Sequence, residues 1–159
     1  MQNIKFHIIT NNIRTKIQSI IPNLREVEQS SNNTVVWRFV TKQGFSIMIY
    51  LNQNSQTELM KFELVSGLTM INRDKSNDLL LFLLDTSRSF KYPLRFSLSE
   101  SDVLLLESSL NPDHVSAEYL MKLIHFTILY SVEVNKVLEN QYGLKPLFGK
   151  NEENEVVYQ

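Results

Sequence analysis

From Leu79 to Leu84 the chain carries five leucines and Phe82 without one polar residue. A block this short, apolar on every side, has no face to give to water, so it must be covered on more than one side. A single domain supplies one cover readily and a second with difficulty. The second cover is then the chain's own core, a second copy, or a protein partner. Asp85 to Pro93 follows the block and leads into an alternating segment, Tyr92, Leu94, Phe96 and Leu98.

Length and composition limit the answer further. A chain of 159 residues suits one domain with a real hydrophobic core. The hydrophobic fraction is 43% and the charged fraction 21%, both ordinary for a globular protein. A formal charge of -1 and a pI near 6.3 give no electrostatic footprint for nucleic acid. The absence of cysteine excludes disulfides, thiolate metal sites and cysteine nucleophiles. Met1 to Thr10 lacks the features of a signal peptide, and no apolar run approaches a membrane span, so the expectation is a cytoplasmic protein.

The apolar pattern predicts an α+β domain over residues 1–148 in the order α-β-β-β-α-β-β-α, with an antiparallel sheet packed against helices. Ile4, Phe6 and Ile8 alternate with Lys5 and His7, a short-strand signal, before Ile13, Ile17, Ile20 and Ile21 recur at helical spacing. The first helix is therefore expected from Thr10 to Ile21, ended by Pro22. A short strand is expected around Val27. Three strands follow, Thr34 to Thr41, Phe45 to Leu51, and a third with Met60, Phe62 and Leu64 on one face. Gly44 serves the first turn, and Asn52 to Ser55 the second.

The leucine block is expected on a helix ending near Arg88, capped by Asn72, Asp74 or Ser76, because leucine dominates it without a β-branched residue. Strands from Tyr92 to Leu98 and from Val103 to Ser109 come next. Ser116 then caps the longest helix, Ala117 to Tyr142, with Gly143 and Pro146 as stop signals. On that helix Leu120, Leu123, Ile124, Thr127, Ser131, Val134 and Leu138 form the core stripe, and Glu118, Lys122, His125, Glu133, Lys136 and Asn140 a polar one. Residues 149–159, with Glu152, Glu153 and Glu155, read as a mobile tail.

No catalytic, cofactor or metal residue emerges. His7, His114 and His125 are scattered without metal-ligand spacing, and no serine lies in a nucleophile motif. Asp74 and Asp78 are better read as helix-start residues than as a paired-carboxylate site. Trp37 and Phe39 share strand parity with Val35 and belong to a core, not to a nucleic-acid platform. Surplus apolar surface is the remaining signal. Leu80, Leu83 and Leu84 in the leucine block, with Phe126 and Leu129 outside the core stripe of the last helix, are the expected interface with a second copy or a protein partner. The alternative is a small-molecule or enzyme pocket between the sheet and the last helix, lined by Asp78, Arg88 and His125.

From Asn77 to Asn140 the run is a leucine-rich helix, then Tyr92 to Leu98, a strand with Leu104, Leu105 and Leu106, a polar break, and a final helix opened by Val115 to Leu120. In this order the chain resembles the class I type III secretion chaperones and the related bacterial YbjN family. The resemblance implies a non-enzymatic, cofactor-free module that dimerises and holds an extended protein segment on apolar helix and strand surface. Chaperones of that group tend to be more acidic, so the near-neutral charge favours the YbjN-like branch.

Overall fold

The computed structural model describes residues 4–27, 31, 33–72, 77–148 and 157–158. The elements are α1 (Ile4–Ile20), β1 (Thr34–Thr41), β2 (Ser46–Gln53), β3 (Met60–Met70), α2 (Asn77–Arg88), β4 (Leu94–Leu98), β5 (Val103–Leu110), α3 (Ala117–Tyr142) and β6 (Val157–Tyr158). A single turn of 3-10 helix, Pro112–His114, precedes α3. This is the expected α+β order, with β6 added after it.

The strands form one sheet in the order β4-β5-β3-β2-β1-β6. Every pairing is antiparallel except β1 with β6. Register aligns Trp37, Ile49, Leu64, Ser108 and Leu94 in one row across five strands, all of them buried. On the reverse face Arg38, Met48, Val65 and Glu107 form a half-buried row that ends at exposed Arg95. The Arg95 guanidinium donates to Glu107 at 2.8 Å there. Period-two alternation thus gives the sheet one apolar face, and the helices cover it.

The longest helix fits its expected bounds. Ser116 Oγ accepts from the Tyr119 N–H at 3.1 Å, and Gly143, at φ 64°, closes the helix in the left-handed conformation. All seven residues of the expected core stripe are buried, and Asn135 is buried beside them. Small side chains carry the contact with the sheet: Ser131 Oγ donates to Ser66 Oγ at 3.0 Å.

Several local expectations are corrected. Ile4 to Ile8 do not form a strand; they lie in the first turns of α1. Phe6, Thr10, Ile13 and Ile17 recur at four, three and four residues and face the core, leaving Ile4 and Ile8 exposed. At Val27 there is a single bridge in place of a strand, with Glu26 opposite Trp37 and the Val27 N–H donating to Val36 O at 2.7 Å. Strand β3 runs on to Met70, because β5 pairs with it along its length through an irregularity between Gly67 and Thr69. Strand β4 starts at Leu94: the Leu94 N–H turns back to Tyr92 O at 2.7 Å, which takes Tyr92 and Pro93 out of the ladder.

Candidate functional site

Helix α2 stands over the β4 end of the sheet and presents two leucine stripes. Leu79 and Leu83, four residues apart, face the sheet at 2% and 7% exposure. Leu80 and Leu84, also four apart, face outward at 58% and 61%. Leu81 is equally exposed, at 58%. Of the expected cap residues, Asp74 and Ser76 lie outside the described residues, and Asn72 precedes the helix by more than one turn. Arg88 in the last turn, 3.5 Å from Asp85, suits the negative end of the helix dipole.

Between α2 and the strand edge lies a groove of about 370 Å³ lined by Ile71, Asn72, Leu79, Leu80, Leu83, Leu84, Ser87, Phe96, Ser97, Leu98 and Leu104. Leu79 and Leu83 are its floor, whereas Leu80, Leu84 and Leu98, the last at 44% exposure, offer surface along it. Among the described residues the lining holds no ionisable side chain, so they offer no group to move a proton. It can remove apolar side chains from water. Full burial of one leucine is worth about 1.5–3 kcal/mol, so seating Leu80 and Leu84 under a partner would be a substantial gain.

Phe126 and Leu129 do not line this groove. Phe126 stacks on Tyr92 at 4.7 Å and approaches Tyr130 at 6.0 Å. Phe90 joins the cluster, 4.6 Å from Tyr130 and 5.4 Å from Phe96. The segment between α2 and β4 therefore packs on Phe126 within the chain and leaves it half-buried. Leu129 stays 39% exposed on α3. Sequence reasoning missed Leu98, Phe96 and Ile71 as lining residues, because nothing in a linear pattern sets the ends of the neighbouring strands beside the helix between them.

The interface between the sheet and α3, where a catalytic pocket was the alternative, is filled by Leu120, Leu123, Ile124 and Leu138, each at 0% exposure. Asp78, Arg88 and His125 are all exposed. Among the described residues no three histidine or carboxylate side chains are grouped to hold a metal. Nor is any helix of the described residues long and apolar enough to cross a membrane. Electrostatic perturbation near the last helix falls on an exposed ion pair and on the aromatic cluster. The Lys122 ammonium, hydrogen-bonded to Glu118, holds that carboxyl below its usual range and is itself raised. Burial, and secondarily Tyr92, pushes Tyr119 up.

No protein-family model and no curated protein matches the chain. Solved structures do. A chain of the heterodimeric ExoU–SpcU complex from the type III secretion system of Pseudomonas aeruginosa aligns with TM-score 0.58 and 16% identity, over 80% of this chain and 98% of that one. A chain of the HopA1–SchA chaperone–effector complex gives 0.52 and 11%, over 79% and 97%. The third is a chain from the Yersinia pestis type III secretion chaperone SycH in complex with a fragment of YscM2, at 0.51 and 14%, over 81% and 98%. With its single antiparallel sheet, its helices on one face and its element order, this chain has a fold like that of type III secretion chaperone complexes.

Proposed function

We propose that the chain is a non-enzymatic, cytoplasmic protein-interaction module that uses the leucine groove to bind apolar side chains of another protein, with a second copy of itself as the first occupant. One observation carries the reading: Leu80 and Leu84 stand exposed beside a groove whose described lining is mostly leucine, isoleucine and phenylalanine. Exposed leucines in a contiguous patch mark an interface more often than a free surface. The likeness of fold to chaperone–effector complexes supports a protein as the ligand. The near-neutral charge supports a YbjN-like role over secretion. Nucleic acid and membrane are not ligands in this reading.

Light scattering at micromolar concentration tests it. The wild-type chain is expected to be a dimer, and Leu80→Glu with Leu84→Glu to be a monomer with an unchanged circular dichroism spectrum. A wild-type chain that stays monomeric, and that captures the same host proteins as the double variant, would sink the proposal. Leu83→Glu is unsuitable, since its side chain lies in the core.

A further inference from the structure

Three neighbouring stripes run along α2, because residues four apart in a helix stand one above the other and successive residues are turned by about 100°. Leu79 and Leu83 form the middle stripe, on the sheet, and are the buried residues of the helix. Leu80 and Leu84 form the stripe on one side of it, at the lip of the groove. Asp78 and Phe82 form the stripe on the other side, and Tyr142 meets both. Its hydroxyl donates to Asp78 O at 3.3 Å, and its ring lies 5.9 Å from that of Phe82. Two core contacts on one line leave a helix free to roll about that line. A contact to one side of the line removes the freedom.

Tyr142 can serve as a fixed point because the end of α3 is itself tied down. Gly143 closes the helix, and Leu144, next in the chain, is buried. Thr69 Oγ1 then donates to Lys145 O at 2.7 Å and the Leu147 N–H to Leu68 O at 2.8 Å, strapping the segment across β3. Strand β3 leads directly into Ile71, a lining residue of the groove, whose N–H donates to Asp102 O at 2.8 Å. The brace on α2 and the Ile71 side of the groove thus share one anchor. Beyond the other end of α2, Phe90 packs 4.6 Å from Tyr130. Tyr130 and Tyr142 are about 18 Å apart along α3, the length of a 12-residue helix such as α2, so α3 meets α2 near its start and again just past its end.

We propose that Tyr142 is the positioning residue of the leucine groove: it fixes the roll of α2 and thereby the place of Leu80 and Leu84. Resting on the proposed role of the groove as a protein interface, this makes the shape of the interface depend on a residue outside its lining. Loss of the ring lets α2 roll, and the outer leucines then meet a partner in several poses, of which a fraction suits binding. Loss of the hydroxyl alone leaves the ring against Phe82.

The chain has no cysteine, so nitroxide labels on Asp85→Cys and Glu100→Cys, both exposed and outside the groove lining, report the distance from α2 to the β4–β5 turn. Electron–electron double resonance on labelled chain diluted with unlabelled chain is expected to give one narrow distance, lost in Tyr142→Ala and kept in Tyr142→Phe. Light scattering is expected to show self-association weakened about tenfold or more in Tyr142→Ala and close to wild type in Tyr142→Phe. Ile13→Val, a loss of stability placed on the buried face of α1, should leave both readings unchanged. An unchanged distance in Tyr142→Ala, or an equal change in Ile13→Val, would overturn the proposal. A monomeric wild type whose distance still broadens in Tyr142→Ala would remove the self-association reading and uphold the positioning of α2.

Discussion

Leu79, Leu80, Leu83 and Leu84 are chemically identical, and both pairs have helical spacing, so their different environments come from what lies beneath α2. Leu79 and Leu83 rest on the strands, and truncating either leaves a cavity. Leu83→Ala is expected to cost about 2–5 kcal/mol in urea unfolding at sub-micromolar protein, where self-association is absent. Leu80→Ala is expected to stay within about 0.5 kcal/mol of wild type under the same conditions. Equal costs for the two would refute the assignment of inner and outer stripes. The sequence identified the block as needing a second cover, yet it grouped Leu83 with the surface residues. Without the sheet in view, no feature of the run distinguishes one stripe from the other.

At the scale of elements, α3 shows what periodicity reads well and what it misses. The core stripe from Leu120 to Leu138 was legible because apolar and small residues recur at three and four over a capped helix with a glycine stop. Asn135 was not, since an amide reads as solvent-facing; here its Nδ2 donates to Ser131 O at 2.9 Å and the side chain is buried. Ser131 and Ser66 let helix and strand approach closely. Ser131→Leu should therefore overpack this seam and lower stability by about 1–3 kcal/mol, whereas Ser131→Ala, which only removes the hydrogen bond, should cost about 1 kcal/mol. Thermal unfolding of the two variants checks the ordering; a harmless leucine would mean that the seam is loose. Helix α1 is the contrary case. Five residues at its start, Ile4 to Ile8, alternate as a strand would, but the four-three-four recurrence from Phe6 to Ile17 lets one helix bury all four contacts.

For the whole molecule, alkaline pH offers a global test. Burial, with Glu63 as the lesser cause, raises Tyr50 above the usual tyrosine range, as burial and Tyr92 raise Tyr119. Below the unfolded value of about 10 both rings are neutral in either state, and their contribution to stability is fully present. As pH rises beyond that, the unfolded chain loses these protons first, so stability falls until the folded-state values are passed. Phenolate absorbance should accordingly show late-titrating tyrosines, and Tyr50→Phe with Tyr119→Phe should flatten the loss of stability above pH about 10. An unchanged slope would place these rings in water.

By itself the sequence determined the α+β order, the two faces of the sheet, the length and caps of α3, and the absence of a catalytic motif. These are local properties: the period of apolar residues, the identity of caps and stops, and the inventory of reactive side chains act within a few residues of one another. Tertiary structure alone decided which leucine stripe faces outward, that Ile71, Phe96 and Leu98 complete the groove with α2, that Tyr92 packs on Phe126, and that Val157 and Tyr158 pair with β1. Each of those joins residues of different elements. Such contacts are fixed by strand register and by which edge an element meets, and neither is encoded in the spacing of any one segment.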